Sequence, residues 1–522
     1  MTKDFNLEPL TPVSFLKRAG RVYADRIAVV DEDRETTYRD LLLRSEKLAG
    51  ALVGLGIAAG DRVAVLLPNT QPMLEAHFGV PMAGAVLLTL NTRLSSAEFA
   101  YILEHSGAKV LIYDQEFEAV VGQTLARLGD RSLHTVRAGS RDFDDEYERL
   151  VSAGPRHCHE LIDERGMLSL NYTSGTTGKP KGVMYHHRGA YLQALAMALQ
   201  NGLSSESRYL WTLPMFHCNG WCFPWAVTAV GGTHVCLRRV DAARIWELLY
   251  SEGITHLNAA PTVVLMLAWH KDAAPGRLQH KVRIGTGGSP PTPALLSRMG
   301  ELGLDMMHLY GLTETFGPSI ICEWRSEWDD LPMERQARLK ARQGLGTVIS
   351  QVVRVIDEGG NDVAADGVSL GEIALRGNNL MLGYYRDPDA TRKACPDGWF
   401  RTGDVGVMHA DGYIELRDRS KDVIISGGEN IASVEVEQAI ASHPAVLESA
   451  VVAAPDEKWG EVPVAFVTLK EGASLTVEEI TEHLGGILAR YKIPKRFVFG
   501  ELPKTATGKI QKFLLREKSK AA

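Results

Sequence analysis

Apolar positions in the first half of the chain follow two alternating rhythms. Residues 38–55 carry apolar side chains at helical spacing, and 62–68 form a continuous apolar run ended by Pro68, as in a strand buried on both faces. The pairing recurs, with helices at 72–83 and 95–106 and strands at 85–90 and 108–113. Further strand-like runs stand at 167–171, 208–213, 233–237, 256–260 and 282–286, with helical stretches between the later ones. Such alternation predicts βαβ units and a mostly parallel sheet. From about residue 348 the rhythm changes. Short runs at 352–357, 372–376 and 412–416, separated by Gly/Asp turns, predict an antiparallel barrel or small sheet. Near 418–421 the pattern resets into a helix at 434–442, strands at 446–453 and 462–469, and a helix at 477–488, a compact α+β unit of about 100 residues. The expected fold class is α/β: a large N-terminal domain of parallel α/β sheets plus a small β-barrel, followed by a smaller α+β C-terminal domain.

Composition narrows the function classes. The chain has 522 residues, 45% apolar and 23% charged, with 57 Lys+Arg against 64 Asp+Glu and a formal charge of −7. That is globular composition, with more chain than one core usually serves. The acidic balance argues against nucleic-acid binding and against a polybasic membrane surface. Residues 209–237 carry no Asp, Glu, Lys or Arg, but Pro214, Pro224 and Gly231-Gly232 break the run, so it reads as core and pocket, not as a transmembrane segment. No secretory signal, peroxisomal tripeptide or prenylated cysteine is expected at the ends. The six cysteines are scattered, and the nearest pair, Cys218 and Cys222, lacks a second pair to complete a zinc site. Reduced thiols and a cytoplasmic location are expected.

Candidate chemistry centres on Tyr172-Thr-Ser-Gly-Thr-Thr-Gly-Lys-Pro-Lys-Gly182, directly after the run at 167–171. Glycines let backbone N–H groups face a cavity, hydroxyls donate to phosphate oxygens, and lysines neutralise charge. The loop suits a polyphosphate. It is not a Walker A loop, because Pro180 follows Gly178-Lys179 where Ser or Thr would hold Mg²⁺. The competing reading is a flexible Gly/Ser/Thr linker. Neither a Gly-x-Ser-x-Gly elbow nor a His-Glu-x-x-His pair is present, so no nucleophilic serine or zinc protease site is expected.

The loop resembles the signature of the adenylate-forming superfamily, which includes acyl-CoA synthetases, firefly-type luciferases and peptide-synthetase adenylation domains. Further motifs follow in the family's order: Gly287-Gly-Ser-Pro290, Tyr310-Gly-Leu-Thr-Glu314, Trp399-Phe-Arg-Thr-Gly-Asp404, Asp418-Arg-Ser-Lys421, Ser426-Gly-Gly-Glu-Asn430 and Pro503-Lys-Thr-Ala-Thr-Gly-Lys509. The resemblance covers nearly the whole chain. It implies that Thr173, Ser174, Gly175, Thr176, Thr177, Gly178 and Lys181 hold the β- and γ-phosphates of ATP, with Thr173 also catalytic. Gly288, Ser289 and Pro290 line the adenine side, Tyr310 stacks on the base, and Gly311 and Thr313 flank the α-phosphate. Glu314 and Thr176 hold Mg²⁺, Asp404 binds ribose, Arg419 binds ribose or phosphate, and Lys509 bridges the carboxylate and the α-phosphate. Lys421 is the implied hinge, giving an AMP-binding domain at 1–418, a hinge at 419–421 and a mobile lid at 422–522. Ser426, Gly427 and Gly428 are the implied coenzyme A path. Taken singly, Tyr310 reads as core, Asp404 as a turn, Glu314 as a helix N-terminal charge, and Lys421 and Lys509 as solvated lysines.

The resemblance implies an ATP-dependent acyl-CoA ligase that releases AMP and pyrophosphate. A short or medium-chain acid and coenzyme A are the substrates, and a homodimer is compatible with it. The segment Pro214-Met-Phe-His-Cys-Asn-Gly-Trp-Cys222 resembles medium-chain and methylmercaptopropionate-CoA ligases, and aryl acids remain an alternative. There Trp221 and Gly287 would line the acyl pocket and His217 would gate the carboxylate; an ordinary core tryptophan and a satisfied core histidine compete. Less favoured are an adenylating amide ligase, a luciferase-like enzyme, a non-catalytic nucleotide sensor and a P-loop NTPase.

Overall fold

A computed structural model describes residues 8–129, 132–139, 145–173, 180–287, 293–419, 422, 424–426, 429–456, 459–505 and 510–521. The apolar run at 62–68 becomes the strand Arg62–Leu66, and it pairs in parallel with Val86–Thr89 on one side and Val110–Asp114 on the other. These strands belong to a sheet of seven among the described residues, with His134–Ala138 at one edge and Met167–Tyr172 beyond Val86–Thr89. The sheet ends in two antiparallel strands, Gly182–His186 and Gly383–Tyr384. The helix Tyr38–Gly54 starts where Thr37 accepts from Asp40 N, and it buries Leu41, Leu48 and Leu52. Every residue of the helix Gln71–Met82 except Pro72 is buried, Glu75 and His77 included.

A second sheet of nine strands has a parallel centre in the order Leu304–Leu312, Val282–Gly287, His256–Ala259, Arg208–Leu210, Thr233–Val235, Ile27–Asp31. The run at 208–213 pairs only as far as Leu210, after which the chain turns toward Pro214. One continuous core joins the two large sheets, from Leu16 and Leu48 through Met73 and Phe78 to Trp211, Trp225 and Phe316. The antiparallel region forms a sheet of four strands, Arg354–Ile356, Gly371–Leu375, Phe400–Met408 and Ile414–Arg419. A bridge between Gly344 and Ile414 ties it to the margin of the nine-stranded sheet.

The C-terminal unit folds as Gly460–Leu469 flanked by Val446–Asp456 and by the parallel strand Arg496–Phe499, with helices Ser433–Ala441 and Val477–Gly485. The second helix stops short of the expected residue 488, at the Gly485-Gly486 pair. A further helix, Lys512–Ala521, lies beyond the elements read from the sequence. At the junction, Asp418 is buried and accepts from Ser433 N. Among the described residues no helix is long and apolar enough to cross a membrane.

Candidate active site

The strands Met167–Tyr172 and Gly182–His186 form an antiparallel pair that brings the two ends of the Gly/Thr/Lys loop together. Thr173 N donates to Lys181 O at 3.0 Å, closing the loop at its base. Ser174, Gly175, Thr176, Thr177 and Gly178 lie outside the described residues. Lys181 leads away from the loop, with Nζ 4.8 Å from the centre of the Tyr384 ring. The hydroxyl of Tyr384 donates to Glu314 Oε1 at 2.8 Å. Burial, and then the Glu314 carboxylate, holds this phenol far above its ordinary pKa, so it stays a donor. Tyr384 therefore links the phosphate-loop lysine to the carboxylate expected to hold Mg²⁺. Sequence reasoning missed it, because Tyr384 is 70 residues from Glu314 and stands in no motif of its own.

The segment Tyr310–Glu314 runs off the end of the strand Leu304–Leu312 into a short 3₁₀ turn, Thr313–Thr315. Tyr185 Oη donates to Thr313 O at 2.5 Å, and its ring stacks on Phe316 at 3.7 Å. A Cβ on Gly311 would lie 2.0 Å from Gly317 O, so the close approach of these two strands requires glycine there. Tyr310 is buried, and its hydroxyl donates to Asp404 Oδ2 at 2.6 Å. The expected base-stacking residue and the expected ribose residue are thus joined directly. Asp404 stands opposite Arg419 in the pairing of Phe400–Met408 with Ile414–Arg419, which puts both ribose candidates at one place in the sheet. Gly288, Ser289, Pro290, Lys421, Gly427, Gly428 and Lys509 lie outside the described residues. Ser426 is buried at the end of Ile424–Ser426, where it pairs with Gly460.

Gly287 ends its strand beside Leu309. A Cβ there would lie 3.5 Å from the outer edge of the Trp221 indole, so the two residues expected to line the acyl pocket are neighbours. His217 precedes that tryptophan, with Nε2 3.9 Å from Cys218 Sγ. Burial pushes the Cys218 thiol up to about 12, which makes it inert as a nucleophile. Among the described residues no three His, Cys, Asp or Glu side chains converge as a metal cage. A lone half-buried carboxylate such as Glu314 fits Mg²⁺, which is commonly held by one or two carboxylates together with substrate phosphates.

The AMP-binding enzyme family matches residues 16–385, and the AMP-binding enzyme C-terminal domain matches 435–509. A peroxisomal acetate/butyrate–CoA ligase of Arabidopsis thaliana is 44% identical over 99% of this chain and 95% of its own length. A 2-methylpropanoate–CoA ligase of Humulus lupulus is 45% identical over 98% and 95% respectively. Among solved structures, an anthranilate CoA ligase in complex with anthranoyl-AMP matches with a TM-score of 0.87 at 28% identity, over 99% of this chain and 98% of that one. The chain belongs to the AMP-binding enzymes, the adenylate-forming family that its phosphate loop and its order of motifs resemble.

Proposed function

We propose that this AMP-forming acyl-CoA ligase activates a short-chain carboxylic acid, of the size of acetate to butyrate and including branched acids. The observation that carries the reading is the Trp221 indole set against Gly287, at the strand end beside the Tyr310–Glu314 segment. An indole across that opening leaves little length for an acyl chain. Short acids are also the named substrates of the acetate/butyrate and 2-methylpropanoate ligases.

In the first half-reaction a carboxylate oxygen attacks the α-phosphorus of ATP, the bond to the bridging oxygen breaks, and pyrophosphate leaves. Thr173 and Lys181 anchor the loop that steadies the departing phosphates, and Asp404, already fixed by Tyr310, orients the ribose. Mg²⁺ held by Glu314 would supply neutralisation of the charge that develops on pyrophosphate. In the second half-reaction the coenzyme A thiolate attacks the acyl carbon and AMP leaves. We assign Lys509 to the first step and the Ser426–Gly428 segment to the second. The unit 422–522 turns between them about Lys421, against the domain 1–418. We also place the enzyme in the cytoplasm, in short-chain fatty acid metabolism, as a homodimer.

The test is AMP and pyrophosphate release with ATP, coenzyme A and a panel from acetate to octanoate plus aryl acids, run for the wild type and for Trp221→Gly. Preference should move to longer acids by roughly fourfold per added methylene that the vacated space buries. An unchanged profile, or a wild type that prefers aryl acids, would sink the short-chain reading.

A further inference from the structure

Five consecutive residues, Cys218, Asn219, Gly220, Trp221 and Cys222, have φ of 47°, 48°, 56°, 56° and 67°. They wind one left-handed turn, closed by Gly220 N donating to His217 O at 2.9 Å and Cys222 N to Asn219 O at 3.0 Å. Four of the five carry a Cβ, which crowds the carbonyl oxygen in this region of backbone space. Such a segment persists only where its surroundings over-determine it. Gly220 is needed for space as well, since a Cβ there would lie 2.6 Å from the Trp211 ring.

The surroundings supply a buried amide clamp. Asn219 is wholly buried; its Oδ1 accepts from Ser169 Oγ at 2.8 Å, and its Nδ2 lies 3.2 Å from His77 Nε2. His77 Nδ1 lies 2.7 Å from Met73 O, a contact it can make only as donor. Burial holds this ring's pKa down to about 4, so it is neutral at pH 7 and Nε2 is left to accept from the Asn219 amide. Ser169 belongs to the strand that enters the phosphate loop, and His77 to the buried helix Gln71–Met82. On the other side, Cys222 Sγ lies 3.9 Å from Phe316 O, and a Cβ on Gly317 would lie 3.1 Å from Trp221 Cα. The turn is thus wedged between the phosphate-loop strand and the segment that follows Glu314.

We propose that Asn219 is a positioning residue for acid selection: by pinning the left-handed turn to Ser169 and His77, its amide aims the Trp221 indole across Gly287 and so sets the length of acid admitted. The proposal rests on the reading of Trp221 as the pocket wall. Asn219→Ala and Asn219→Gly separate backbone from side chain. Both delete the amide and leave Ser169 and His77 in the same unpaired state, but only glycine enters the left-handed region freely.

The experiment measures kcat/KM for pyrophosphate release with acetate, butyrate and hexanoate, together with the Kd for ATP and the thermal midpoint of each full-length variant. Asn219→Ala should raise the hexanoate-to-acetate ratio by about tenfold, within the roughly fourfold per methylene of a fully opened apolar pocket. The Kd for ATP should hold, and Asn219→Gly, which enters the left-handed region freely but also lacks the amide, should shift the ratio in the same direction. Equal loss for all three acids in step with the fall in thermal midpoint, or a wild-type ratio in the glycine variant, overturns the clamp. If Asn219→Ala does not fold, Ser169→Ala, which removes one hydrogen bond to Oδ1, replaces it; a ratio that stays at the wild-type value overturns the clamp. Trp221→Gly is run alongside. A shift there with none in the Asn219 pair defeats the clamp alone, whereas no shift for Trp221→Gly defeats the pocket reading and the clamp with it.

Discussion

Glu75 and Glu314 look alike at close range: each accepts a hydrogen bond from a tyrosine, Tyr147 at 2.6 Å and Tyr384 at 2.8 Å. In both pairs burial, followed by the neighbouring carboxylate, lifts the phenol far above its ordinary pKa and keeps it a donor. There the likeness ends. Glu75 is wholly buried and also accepts from Gln71 Nε2 at 2.7 Å and from Arg44, which reaches Glu148 as well. Its acceptor capacity is met by the protein. Glu314 is half-buried, and among the described residues Tyr384 is the one side chain that donates to it. Residue type and tyrosine partner do not separate a structural carboxylate from one proposed to hold a cation. The number of donors already committed to it does.

The largest test of that distinction is Glu75→Ala. It leaves Arg44 and Tyr147 buried without their acceptor, and denaturant unfolding should show a loss of about 3–5 kcal/mol, the usual result of breaking one side of a buried pair. Pyrophosphate release per folded molecule should hold. A stability loss below about 1 kcal/mol would mean that Glu148 alone satisfies Arg44. Next comes Glu314→Gln. Adenylation should fall by about a hundredfold or more, as when a group facing developing charge is lost, while stability moves by no more than about 0.5 kcal/mol. Kinetics and thermal melting on the same preparation decide it. If Glu314→Gln destabilised the fold as much as Glu75→Ala, the comparison would collapse.

The two glutamates were not equally visible in the sequence. Glu314 ends the Tyr310-Gly-Leu-Thr-Glu314 motif, and its expected role came from that motif's resemblance to the family's, since alone it reads as a helix N-terminal charge. Glu75 falls inside a helix that periodicity finds to within a residue, but its burial depends on Arg44 and Tyr147 arriving from two other helices, beside Gln71 one turn earlier on its own. The parallel strands Arg62–Leu66, Val86–Thr89 and Val110–Asp114 were legible because burial on both faces leaves continuous apolar runs. The left-handed turn at 218–222 was not: Asn219-Gly220 hints at positive φ, but nothing in Cys218, Trp221 or Cys222 does. The link from Lys181 through Tyr384 to Glu314 was hidden for the same reason, since sheet pairing and not local sequence sets it.

A smaller test uses the neighbour of Glu75 on the same helix. Where Glu75 is saturated with donors, His77 is kept neutral by burial, with its pKa lowered to about 4; His187 and His234 are lowered to about 4 and about 3 by the same cause. An unfolded histidine titrates near 6.5. The folded pKa is the lower one, so the contribution is fully present above about pH 6.5 and is lost progressively as pH falls toward 4. Between pH 6 and pH 5 each such histidine should cost about 1.2 kcal/mol, since the unfolded ring is about nine-tenths protonated there. Unfolding free energies at pH 7, 6 and 5 should show that slope reduced by about one proton in His77→Gln. An unchanged slope would mean that His77 is protonated in the fold, and that the helix Gln71–Met82 tolerates charge more broadly than the saturation of Glu75 implies.

The finest test is Tyr384→Phe, because it alters the donor count at Glu314 by one and nothing else nearby. The ring stays under Lys181, and only the hydroxyl on Glu314 Oε1 is lost. Two outcomes compete. If Tyr384 orients the carboxylate for a cation, losing the hydroxyl weakens that hold, and the Mg²⁺ concentration for half-maximal activity should rise about tenfold, the lower end for a lost partner of a metal-binding carboxylate. The rate at saturating Mg²⁺ should change little. If instead the hydroxyl competes with the cation for Oε1, the requirement should fall. We expect the rise, because Oε2 and the remaining lone pair of Oε1 stay available to a cation while Tyr384 holds the group still. Tyr384→Leu then adds loss of the ring, and the KM for ATP should rise beyond the phenylalanine value as Lys181 loses its support. A lower Mg²⁺ requirement in Tyr384→Phe would place Glu314 with Glu75, as a carboxylate that the protein satisfies and the cation must win back.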